Sequence, residues 1–148
     1  MAALLSLVVI LLSWTGPAAS AQTAMSVSYG TVKVSARILV TVPVRVVCAG
    51  LGGTFEADSL TVSLLQANGR AVSSGQTQLN SGIMFGTGPL FVCDGSTVNK
   101  IKVSVLPAAG SGPFNPGSAV ITVTATHSES ADTESDQLGP RVVTLLAT

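Results

Sequence analysis

The chain has 148 residues, with seven basic and seven acidic side chains, one histidine and two cysteines. That length suits one domain with one core, and with charged residues at only 9% it carries no run of Lys and Arg to attract nucleic acid. A single histidine also excludes the zinc and copper centres that need several imidazoles.

The first predicted element is "MAALLSLVVILLSWTGPAASAQTA". An apolar run from Ala2 to Leu12, then Pro17 and the small residues Ala19, Ser20 and Ala21, has the plan of a secretory signal peptide. No Lys or Arg precedes the apolar run, which is shorter than the roughly 20 residues that span a bilayer. Residues 1–21 are therefore expected to be cleaved between Ala21 and Gln22, leaving residues 22–148 as a secreted domain. No second apolar run is long enough to cross a membrane, so no membrane partner is expected after cleavage.

Strand patterns follow. The segment "SVSYGTVKVS" supplies one or two strands. In "ARILVTVPVRVVCAG" the even positions Ile38, Val40, Val42, Val44, Val46 and Cys48 alternate with positions that include Thr41, Pro43 and Arg45, which predicts a half-buried strand. Pro43 has no N–H for a ladder, so this strand is expected at an edge or bulged there. In "SLTVSLLQANGRAVSSG", Leu60, Val62 and Leu64 share a face and Asn68-Gly69 predicts a hairpin turn, with Gln66 opposite Ala71 and Leu65 opposite Val72. The Gly/Ser-rich stretch from Ser73 to Gly88 reads as a loop.

Beyond it, "PLFVCDG" reads as a strand with Phe91 and Cys93 on one face. "TVNKIKVSVLP" turns Ile101, Val103 and Val105 inward and Lys100, Lys102 and Ser104 outward. "GSAVITVTATH" puts Ile121, Val123 and Ala125 on one face and Thr122, Thr124 and Thr126 on the other. A last strand spans Arg141 to Ala147. With β-branched residues dominant and no helical period, the expected fold is all-β: an immunoglobulin-like β-sandwich of about seven antiparallel strands.

Cys48 and Cys93 lie 45 positions apart, on separate predicted strands and with inward parity. In an exported chain this predicts one inter-strand disulfide. A C-x-x-C redox site would place the two thiols close together, and a catalytic cysteine would need to stay reduced beside a base.

His127 sits at the end of a predicted strand, where the polar segment "SESADTESD" begins. A Ser-His-Asp set could draw on it with Asp94, Asp132 or Asp136, but no G-x-S-x-G elbow is present. His127 reads instead as a solvated strand-end residue, and no catalytic, cofactor or metal residue is assigned. Glu129, Asp132, Glu134 and Asp136 read as a solvated acidic loop. Calcium binding is the competing reading, on a spacing that does not match an EF-hand. Among Phe55, Phe85, Phe91 and Phe114, Phe91 has core parity. Phe114, in "GPFNPG", is the candidate surface aromatic or, alternatively, a loop plug.

The succession "VPVRVVCAG", "VSLLQANGRAVSSG", "FVCDG", "KIKVSVLP" and "GPFNPGSAVITVTA" resembles a group of small secreted actinobacterial immunoglobulin-like domains of unknown function. The resemblance covers roughly Val34 to Leu145. It implies the fold, export and the Cys48–Cys93 bond, and it implies no catalytic residues. The expected function is a secreted, non-enzymatic binding or structural module whose partner is an extracellular protein or a small ligand. A small-molecule carrier with an apolar cleft and a pilin-like assembly subunit are the alternatives.

Overall fold

The computed structural model describes residues 25–53, 56–82, 86 and 88–148. The expected signal peptide with its Ala21–Gln22 junction lies outside them, as do Phe55 and Phe85. Among the described residues the chain is all-β and has no helix. The first four strands are β1 (Ser26–Tyr29), β2 (Lys33–Ser35), β3 (Leu39–Val47) and β4 (Glu56–Asn68). The others are β5 (Ala71–Gly82), β6 (Asn99–Val105), β7 (Gly117–Glu129) and β8 (Asp132–Ala147).

In one ladder β3 pairs with β6 on one edge and with β1 and β2, end to end, on the other. The second ladder runs β8–β7–β4–β5. The two join where β2 lies parallel to the end of β8, with Lys33 beside Leu146 and Val34 beside Ala147. Among the described residues there are thus eight strands rather than about seven, and one pair is parallel.

Period two decides what is buried. Val40, Val42, Val44 and Val46 of β3, Leu60, Val62 and Leu64 of β4, Val103 and Val105 of β6 and Ile121, Val123 and Ala125 of β7 form one continuous core. Burying a side chain of this size stabilises by about 1.5–3 kcal/mol. Ile38, expected inward, is exposed because β3 begins after it, at Leu39.

Pro43 corrects the expectation of an edge strand. It lies inside β3, opposite Lys102 of β6 on one side. On the other side β1 ends opposite Val44 and β2 reaches only Thr41, so Pro43 faces the break between them. Its carbonyl accepts the Gly30 N–H at 2.8 Å there, and its missing donor falls where no strand needs one.

The loop predicted from Ser73 to Gly88 corrects to a strand over its first part, as far as Gly82. β5 pairs with β4 along its whole length. The hairpin turn is also displaced: Asn68 pairs with Ala71 and Gln66 with Ser73, so Gly69-Arg70 makes the turn, with Gly69 at φ 64°. Asn68 is held in the strand because its amide donates to Ser73 Oγ at 2.8 Å and to the Pro113 carbonyl at 3.4 Å.

β5 is the outer strand of its ladder, and the chain after β6 covers part of its free edge. The Ala108 N–H donates to the Ser74 carbonyl at 2.7 Å and the Gly112 N–H to the Val72 carbonyl at 3.4 Å. Such cover blunts an edge against further strand pairing. The approach needs a glycine, since a Cβ on Gly75 would lie 2.3 Å from the Leu106 carbonyl oxygen and 2.9 Å from Val105 Cγ1. Gly75→Ala is expected to cost about 1–3 kcal/mol by overpacking against backbone, read as a lower urea midpoint at unchanged slope.

"PLFVCDG" is not a strand. Its amides are taken by side chains instead of a ladder. Leu90 and Phe91 donate to Asp58, and Val92 donates to Asn99 Oδ1 at 2.7 Å. Phe91 still enters the core.

Candidate functional site

The residues with chemistry gather at one end of the molecule. Cys48, just beyond β3, and Cys93 form the expected disulfide, with an S–S distance of 2.01 Å and a Cα–Cα distance of 4.6 Å. It ties a strand end to the irregular segment 90–95 rather than strand to strand. The Gly95 N–H donates to the Cys48 carbonyl at 2.8 Å, so the backbone closes the same contact. Asp94 then caps the next turn, accepting from the backbone and hydroxyl of Thr97 and of Ser96. These bonds, those from Thr97 foremost, hold its carboxyl well below the usual range.

His127 is the main correction. It is 1% exposed, not solvated. The alternation of Ile121, Val123 and Ala125 runs on through His127 and Glu129, so both point inward. Asp58 does the same on β4, where its cross-strand partner is His127. Nδ1 of the imidazole lies 2.7 Å from Asp58 Oδ1, and Nε2 lies 2.9 Å from Glu129 Oε1.

With an acceptor on each nitrogen, both must donate, so the geometry selects the imidazolium. Burial opposes the charge, but the hydrogen bonds and charges of Asp58 and Glu129 outweigh it, and the His127 pKa is raised above its ordinary 6.5. The Gly53 N–H, donating at 2.7 Å to Glu129 Oε2, and the imidazolium outweigh burial in turn and lower the Glu129 pKa from 4.5.

Each carboxylate also reaches a separate segment. Asp58 Oδ2 accepts from Leu90 N at 2.6 Å, Phe91 N at 3.1 Å and Ser81 Oγ at 3.2 Å. Glu134 accepts from Ala49 N at 3.0 Å, and Asp136 from Val27 N at 2.8 Å. Four acidic residues of the second ladder thereby hold backbone amides from β1, from the stretch after β3 and from segment 90–95.

The expected acidic loop is accordingly a tight hairpin. Glu129 pairs with Asp132, and Ser130 turns the chain at φ 55°. The carboxylates of Glu129, Glu134 and Asp136 are spread over separate amides, and Asp132 is exposed. Among the described residues, the one set of three metal-binding groups whose ligand atoms all lie within 4.8 Å of one another is Cys48, Cys93 and Glu134, whose two sulfurs are already bonded to each other.

Among the described residues the hydroxyl bonded to this cluster is that of Ser81, which donates to Asp58 and not to the imidazole. Both His127 nitrogens are occupied by carboxylates, so the arrangement is an internal ion cluster and not a nucleophile–base pair. Among the described residues no buried side-chain nitrogen or oxygen lacks a partner.

Phe114 is fully buried and corrects to the loop plug. At the end opposite the histidine, Gln66 fastens this loop, donating to the Asn115 carbonyl at 2.8 Å and accepting from Asn115 N at 2.8 Å. Ser73 Oγ adds a bond to the Pro113 carbonyl at 2.7 Å. An apolar groove of about 470 Å³ bordered by Leu65, Val120, Ala108 and Pro140 lies on the solvent side of the second ladder, not in the core.

The ion cluster sets a pH dependence whose sign follows from the two shifts. A raised His127 pKa contributes stability that is fully present below 6.5 and is lost as pH rises through the folded-state value. A lowered Glu129 pKa contributes stability present above 4.5 and lost as pH falls through its folded-state value. The melting temperature is expected to be highest between about pH 4.5 and 6.5 and to fall on both sides. A His127→Gln variant should lose the alkaline decline. A wild-type melting temperature that stays flat from pH 6 to 9 would count against a buried imidazolium.

No protein-family model, no curated protein and no solved structure matches the chain.

Proposed function

We propose that the protein is a secreted, non-enzymatic β-sandwich of immunoglobulin-like type, acting outside the cell as a binding or structural module. In this reading residues 1–21 are removed and the domain starts at Gln22. The two ladders are the sheets of the sandwich, with the continuous core between them. The observation that carries the proposal is the double lock at one end, where the Cys48–Cys93 bond and the His127 ion cluster fix the same segments. A disulfide persists in an oxidising compartment, and a histidine consumed on both nitrogens supports a scaffold in preference to a catalyst.

Native mass spectrometry of the protein from its own culture medium tests this. The expected species starts at Gln22 and is lighter by two hydrogens than its reduced form. A chain retained in cells with residues 1–21 attached, or one with both thiols free, would overturn the proposal.

A further inference from the structure

The net charge of zero conceals a strong separation of charge. Lys33 of β2, Arg45 of β3, and Lys100 and Lys102 of β6 are all exposed. The pairing register puts them on one face of the first ladder. Arg45 is directly opposite Lys100, Pro43 opposite Lys102, and Lys33 opposite Thr41. Four of the seven basic residues thus share a sheet face, while six of the seven acidic ones lie on β4, β7 and β8.

Like charges placed directly across a ladder destabilise it, and here nothing offsets them. Among the described residues the ion pairs are those of His127, so no Lys or Arg has a carboxylate within salt-bridge distance. A groove of about 460 Å³ runs between these cations, bordered by Lys33, Arg45, Lys102, Thr31, Thr41 and Pro43.

We infer that this face binds a linear acidic polysaccharide. Charge complementarity requires an anion. Cations two residues apart on one strand and directly opposite on the next stand about 5–7 Å apart, a spacing that suits repeated anionic groups on an extended chain. The hydroxyls of Thr31 and Thr41 beside the groove, and of Ser28 opposite Arg45 and Ser104 opposite Thr41, supply hydrogen-bond partners for sugar hydroxyls. No aromatic side chain occurs at these positions for bases to stack on, which disfavours single-stranded nucleic acid. The cations stand on a sheet and not on an amphipathic helix with an apolar side to bury in a bilayer.

The choice of a polysaccharide rests on the extracellular reading above. Processing in the medium and binding in vitro are separate measurements, so either can fail alone. Heparin and polygalacturonate are titrated into the disulfide-intact protein, with oligo-dT and phosphatidylglycerol vesicles in parallel. Both polysaccharides are expected to bind at low salt. Arg45→Gln with Lys100→Gln should weaken them about tenfold or more and flatten the log–log salt dependence by about one to two.

Lys33→Gln with Lys102→Gln is a second pair with the same expected loss. Arg70→Gln with Arg141→Gln, which removes equal charge elsewhere, should leave binding at about 0.15 M salt within about twofold of wild type, because at that ionic strength exposed charges beyond a Debye length of ~8 Å are screened. Absence of polysaccharide binding, equal weakening by all three pairs, or tighter binding of the oligonucleotide or the vesicles would overturn the inference.

Discussion

His127→Ala is expected to lower the free energy of unfolding by about 3–5 kcal/mol, the cost of removing one partner from a buried ion cluster. The loss comes from what remains: Asp58 and Glu129 stay inside, at 3% and 6% exposure, without the cation between them. For a domain of this length it corresponds to a fall in melting temperature of roughly 10–20 °C. His127→Gln keeps a neutral donor for one carboxylate and should lose less. Replacing Asp58, His127 and Glu129 together with apolar residues of similar volume should be milder than His127→Ala, because no charge is then stranded. Denaturant unfolding of the four proteins at pH 6 checks the order. A His127→Ala protein within 1 kcal/mol of wild type would mean that water reaches the carboxylates and that the cluster is not a buried one.

The same cluster marks where sequence periodicity stops being informative. β3, β6 and β7 are legible because their inward positions are apolar over several alternations, as Val40 to Val46 and Ile121 to Ala125 are. β5 is hidden because its inward positions are Ser73, Gly75, Thr77, Leu79 and Ser81, which give no apolar alternation. They are small or polar because they meet the crossing chain at Leu106, the plugged loop at Pro113 and the carboxylate of Asp58. His127 is hidden for a related reason. Parity alone places it and Glu129 inward, but the end of the apolar run reads as the end of burial. Carrying the alternation two residues further on β7, and back to Asp58 on β4, is the signal that finds the cluster. The basic face depends on strand order, since Lys33, Arg45, Lys100 and Lys102 come together only once β2, β3 and β6 are aligned. No pattern along the chain brings residue 33 beside residue 102.

Replacing Cys48 and Cys93 with alanine is expected to cost about 4 kcal/mol, the loop-closure value for a bridge spanning 45 positions. The effect should not add simply to that of His127→Ala. Segment 90–95 is held by the disulfide at Cys93 and by Asp58 at Leu90 and Phe91, and the stretch after β3 by the disulfide at Cys48 and by Glu129 at Gly53. Each restraint places the backbone amides that the other needs. With either one lost, those segments can move away, and part of the second restraint's contribution goes with them. A double-mutant cycle between the cysteine pair and His127 is therefore expected to show a coupling of about 0.5–3 kcal/mol, with the triple variant less destabilised than the sum. Full additivity would mean that the two locks act on independent parts of the chain. Coupling with loss of amide protection confined to residues 49–53 and 90–95 in hydrogen exchange would place the shared free energy in those segments.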